Sequence, residues 1–149
     1  MSEQASYNTY ISIPSLAEHK SLDGNLIDAE PRAALLLKAL TLAAEDHAGR
    51  ITDRIVDCDG NSLECLTGLV TKEMPQGVGV RIQNDGRVVF VYDAHGDSLG
   101  WGKRIAGEIA ANYNTLAVRL ALQAMNLEVG VEEHRNSRGE RVIRVEGRS

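Results

Sequence analysis

Residues 77–93 read GVGVRIQNDGRVVFVYD, and the pattern in this stretch decides the architecture. Val78, Val80 and Ile82 alternate with Gly79 and Arg81, and after Asn84-Asp85-Gly86 the apolar run resumes through Val88, Phe90 and Tyr92. That is the signature of an antiparallel hairpin. Two registers compete. A two-residue Asp-Gly loop would bring Val89, Val91 and Asp93 to the face of Val78, whereas a three-residue loop brings Val88, Phe90 and Tyr92 there. The three-residue loop is expected, because it buries a continuous apolar set and puts Gly86 at the left-handed bulge position.

Downstream, Asp93–Gly102 is rich in glycine and reads as a loop. It feeds a helix over Lys103–Met125, where Ile105, Ile109, Tyr113, Leu116 and Leu120 recur at helical steps and Asn126 can stop it. A further hairpin follows, Leu127–His134 and Glu140–Val145, turning around Asn136–Gly139. Upstream, Ile51–Cys58 and Leu63–Thr71 flank a turn at Asp59–Ser62 and read as another hairpin, with Cys58 opposite Leu63 and Val56 opposite Cys65. In that register the two cysteines are diagonal neighbours with Cβ atoms roughly 7–8 Å apart, beyond the roughly 3.8 Å between Cβ atoms that a disulfide wants. Cys58 and Cys65 are therefore expected to be free thiols buried in the core.

Before that hairpin, a helix is expected over Ala29–His47, capped by Asp28, with Pro31 tolerated in its first turn and Gly49 stopping it. Residues 1–25 read as partly irregular, apart from a short edge strand at Tyr10–Ile13 ended by Pro14. The expected fold is one α+β domain over 1–149: a mainly antiparallel sheet of about six strands built from three hairpins, with two principal helices packed on it.

Composition narrows the function classes. The 149 residues are 43% hydrophobic and 25% charged, the balance of an ordinary globular chain. A net charge of -5 gives no overall attraction for nucleic acid or anionic lipid, so nucleic-acid binding is not expected. No stretch approaches the roughly 20 apolar residues of a spanning helix, and Met1–Tyr10 is polar and unlike a signal peptide. The chain is expected to be cytoplasmic and not to bind membranes. Phosphate-loop, nucleophile-elbow and zinc-protease motifs are missing, and Gly77 and Gly79 fall inside a strand instead of at a strand-to-helix turn. No catalytic residue and no cofactor are expected.

Three features could bind something. Asp93, His95 and Asp97 alternate on an extended segment, a spacing that metal ligands can share. The alternative is preferred, in which Asp93 ends a strand, Asp97 or Ser98 caps a helix and His95 is solvated. Trp101, the only tryptophan, lies between Gly100 and Gly102, where it can anchor a partner or fold back on the core. Arg135, Arg138, Arg141, Arg144 and Arg148 make the one local cationic excess. They could meet phosphate or an acidic protein surface, but a solvated edge guarded by charge is preferred. His19 and His47 carry no signal.

Gly77-Val-Gly-Val-x5-Gly-x-Val-x-Phe-x-Tyr-Asp, then Ile109-x3-Tyr113, Val129-x3-Glu133, Gly139 and Val142-Ile143-x-Val145, resembles the domain of unknown function numbered twelve fifty-seven, which includes the plastid and cyanobacterial conserved reading frame thirty-five. The resemblance covers about the last half of the chain. It carries over no catalytic residue and implies a small accessory protein, without a cofactor of its own, of the kind encoded beside AAA+ ATPases. The expected function is a non-enzymatic accessory of a cytoplasmic assembly with a protein partner. The alternative is a binder of a nucleotide or other small anion, held by arginines such as Arg141 or Arg144 and stacked on Trp101.

Overall fold

The computed structural model describes residues 2–125, 128–135 and 141–148. Its elements in chain order are β1 (Gln4–Ser12), a 3-10 turn at Pro14–Leu16, α1 (Gly24–Ala29), α2 (Pro31–Asp46), β2 (Arg50–Thr52), β3 (Ile55–Val56), β4 (Ser62–Leu63), β5 (Thr67–Val70), β6 (Val78–Ile82), β7 (Arg87–Asp93), α3 (Trp101–Ala124), β8 (Glu128–Arg135) and β9 (Arg141–Arg148). The class is α+β. Five strands form one sheet in the order β1-β7-β6-β5-β2, antiparallel at every junction.

The central hairpin has the expected register: Val78 stands opposite Tyr92, Val80 opposite Phe90 and Ile82 opposite Val88. Its loop closes through Gln83 N–H to Arg87 O at 2.9 Å and Gly86 N–H to Gln83 O at 2.8 Å, with Gly86 at φ +90°. A side chain at Gly86 would be strained there. Val78, Val80, Val88 and Phe90 are buried together with Leu36 and Leu40 of α2 and Ile105 and Ile109 of α3 in the main core. The two helices touch, and the Asn112 side-chain amide donates to Ala39 O at 3.2 Å, satisfying two polar groups in the buried seam.

The other face of the sheet carries a smaller cluster of Ile55, Val89 and Val91, with Leu63 and Cys65 packed against it. The glycines of the sequence pattern explain it. A Cβ on Gly77 or Gly79 would lie 2.6 Å from the Ile55 side chain, and one on Gly68 would lie 2.8 Å from it. These three glycines form a socket for one isoleucine, and the β3–β4 ribbon is seated through it.

Several expectations need correction. The hairpin around residues 51–71 splits in two: β2 pairs with β5 inside the sheet, while β3 and β4 form a separate ribbon with Ile55 opposite Leu63 and Val56 opposite Ser62. The expected Cys58–Leu63 and Val56–Cys65 register is therefore wrong, because Ile55 takes the glycine socket and sets the phase. Cys58 and Cys65 are free, as expected, but both are half-buried instead of core residues. The helix expected from Ala29 starts at Pro31. Glu30, not Asp28, caps it by accepting from Arg32 N–H, and a separate α1 precedes it, capped by Asp23.

Residues 2–25 are more regular than expected: β1 runs over Gln4–Ser12 and pairs along β7, with an irregularity between Asn8 and Ser12. There the Thr9 hydroxyl donates to Val88 O at 2.6 Å and accepts from Ile11 N–H at 3.1 Å, replacing ladder bonds. The mainly antiparallel sheet with helices packed on it is as expected; the main sheet has five strands, and the third hairpin forms as a ribbon of its own, β8 and β9, lying against α3. The turn at Asn136–Gly139 and the stop at Asn126 lie outside the described residues.

Candidate functional site

Asp93 stands at the C-terminal end of β7, where it is 2% exposed. Its Oδ1 accepts from Glu3 N–H and His95 N–H, each at 2.9 Å, and its Oδ2 accepts from Cys58 N–H at 2.6 Å. Burial alone would raise this carboxyl, but the hydrogen bonds from Glu3, His95 and Cys58 outweigh it and hold the pKa at about 2. Asp93 is thus a clasp joining the start of β1, the ribbon turn and the loop after β7. Asp97 plays a related part: its two oxygens accept from Trp101 N–H and Gly102 N–H at 2.9 Å each, capping α3.

Both carboxylates are engaged by backbone amides. Among the described residues no group of three His, Cys, Asp or Glu is placed to hold a metal ion. Cys58 sits beside the clasp, and burial, then the hydrogen bond to Asp93 and the charges of Asp59 and Asp93, push its thiol up. Burial pushes the Cys65 thiol up as well. Raised thiols are poor nucleophiles at neutral pH.

Trp101 is the first residue of α3, not a loop residue, because the Asp97 cap begins the helix there. It packs against the main core, half-buried. The Arg104 guanidinium lies 4.3 Å from the centre of its ring, and the His47 ring meets it edge-on at 6.1 Å. Beside it opens a cleft of about 420 Å³, bounded by Glu73 and Met74 on one side and by His95, Asp97, Leu99 and Trp101 on the other. Leu99, on that wall, is 71% exposed.

The structure therefore brings His95 and Trp101 together. Arg135, Arg141, Arg144 and Arg148 stand on the β8–β9 ribbon. Arg135 and Arg141 occupy directly opposed positions of the β8–β9 ribbon, while Arg144 stands opposite Glu132 and Arg148 opposite Glu128. Arg138 lies outside the described residues.

Sequence reasoning missed His47, which closes α2. Its Nε2 is 2.6 Å from Glu108 of α3 and its Nδ1 is 3.5 Å from Glu73 at the cleft wall, with the imidazole 11% exposed. The other Glu73 oxygen, Oε2, is buried without a hydrogen-bond partner among the described residues. Burial by itself would lower the His47 pKa, but the hydrogen bond and charge of Glu108, followed by those of Glu73, raise it above its ordinary value. Nothing in sequence spacing connects these three residues; only the position of His47 at a helix C-terminus, where a cation is favoured, was a signal.

The clamp has a pH signature. A histidine raised on folding contributes stability that is fully present below its ordinary value of 6.5 and is lost as the pH rises through the folded value. The melting temperature should therefore fall as the pH climbs past about 6.5, and this slope should flatten in His47→Gln. A wild-type slope equal to that of the variant would show that the clamp does not contribute.

Comparison of the chain with protein-family models, with curated proteins and with solved structures gives no match.

Proposed function

We propose that this protein is a non-enzymatic interaction module, an accessory of a larger assembly, and that the cleft beside Trp101 receives a protein partner. The observation that carries this reading is Leu99, 71% exposed on the wall of a cleft whose sides hold Glu73, Asp97 and Trp101. An exposed leucine beside carboxylates suits a partner segment that pairs an apolar side chain with a basic one. Asp97 already occupies the α3 N-terminal amides that would otherwise hold a phosphate, and Arg104 already covers a face of Trp101, so the site favours a protein over a nucleotide. The resemblance to an accessory family makes an assembly containing an AAA+ ATPase the first partner to test.

A photo-crosslinking residue at position 99 should trap a specific protein in the native host. Leu99→Asp, which leaves the core intact, should weaken that association at least tenfold, and raised salt should weaken it further. If only the lone chain is recovered while a nucleotide raises the melting temperature by several degrees, the interaction reading is wrong.

A further inference from the structure

The two ends of the main sheet are built differently. At one end β2 is three residues long, includes Arg50 and is followed by Asp53 and Arg54. Short length and charge are the usual protections of an open edge. At the other end β1 is nine residues long, Gln4–Ser12, and includes no charged residue, proline or glycine. Among the described residues no strand pairs with its outer side.

The hydrogen-bond phase shows which groups are open. Ala94 N–H donates to Glu3 O at 2.7 Å, which makes residue 3 an inward, bonded position. Antiparallel alternation then turns the N–H and C=O of Gln4, Ser6 and Asn8 away from β7, toward the open side. The side chains at 4, 6, 8, 10 and 12 are all exposed, and Tyr10 is 100% exposed. An uncharged edge with a row of free donors and acceptors is a template for another strand.

We propose that β1 is a homodimerisation edge, on which a second copy of this chain pairs antiparallel through Gln4–Asn8 about a two-fold axis at Ser6, joining two five-stranded sheets into one of ten. The occupant follows from symmetry: the open groups of Gln4, Ser6 and Asn8 are spaced evenly about Ser6, so a second β1 meets each open N–H with an open C=O, and charge says where a copy can approach. A chain of net charge -5 repels its own copy over most of its surface, and β1 is a long stretch where self-pairing sets no like charges against each other. About Ser6, Gln4 meets Asn8 of the second copy, Ala5 meets Tyr7 and Glu3 meets Thr9. The contact is isologous and closes at two copies, because each β1 has a single open side. This surface is separate from the cleft, so either can fail alone.

The test is sedimentation equilibrium of the full chain. Wild type is expected to be a dimer at micromolar concentration. Ser6→Pro removes an N–H that β7 does not use, and it should raise the dimer dissociation constant at least tenfold while leaving the circular dichroism and melting of the monomer in place. Ser6→Lys and Ser6→Glu each put like charges on the axis and should each weaken the dimer severalfold, whereas an equimolar mixture of the two should restore it as a heterodimer. A wild-type chain that stays monomeric at 100-fold higher concentration overturns the proposal. So does a dimer that persists in Ser6→Pro, or a mixture no tighter than its components.

Discussion

Replacing Asp93 by alanine is expected to cost the fold about 3–5 kcal/mol, enough to lower the melting temperature by roughly 10–15 °C in a chain of this size. The reason is the number of groups left behind. Glu3 N–H, His95 N–H and Cys58 N–H all lose their acceptor, and each buried donor left unpaired costs about 1–3 kcal/mol before relaxation. Calorimetry of the variant checks this; a loss under about 1 kcal/mol would mean water replaces the carboxylate without penalty. The same clasp sets an acid limb. A carboxyl lowered from 3.8 to about 2 contributes stability that is present above about pH 4 and lost as the pH falls through 2, roughly 2 kcal/mol in all. Asp93→Asn keeps the shape but removes the charge, so its stability should be flatter across that interval.

Gly86→Ala should destabilise by about 3 kcal/mol, from two separable causes. Its φ of +90° is costly for any residue with a side chain, and the added Cβ would lie 2.5 Å from Pro14 Cα and 2.7 Å from Pro14 N. Backbone cannot move aside as a flexible side chain can, and Ile13 N–H donates to Gly86 O at 2.8 Å, so the two segments cannot separate freely. Gly96→Ala is the control: φ is +80°, but nothing lies within 4 Å. It should cost only about 1 kcal/mol, and the difference between the two variants measures the approach of Pro14. Equal losses would assign the whole effect to backbone strain.

The central hairpin was legible because a pattern of period two and a glycine turn select the same register. Both long helices were legible through their apolar repeats, to within two residues at every end. The 51–71 region was misread because its phase is set by Ile55 dropping into gaps on other strands, and pairing rules see only the two strands being paired. β1 was underestimated because Ala5, Tyr7 and Thr9 are weak hydrophobic signals, although the alternation continues into Ile11. At the site, Asp97 as a helix cap and the inward side of Trp101 were both readable. The clamp of His47, Glu73 and Glu108 was not, since it joins the end of one helix, a loop and the middle of another helix.

The socket made by Gly68, Gly77 and Gly79 has a mechanical consequence. The second face of the sheet is roofed by a ribbon of two short strands, held by Ile55 in its socket and by the bonds from Cys58 N–H to Asp93, from Val56 N–H to Gln76 O and from the Arg81 guanidinium to Glu64 O. Lifting that roof uncovers Val89 and Val91 but disturbs neither helix, because the main core lies on the opposite side. The molecule is thus built in two tiers of cooperativity, a helix-backed keel that gives way only with the whole and a shutter held by one buried side chain and a handful of hydrogen bonds.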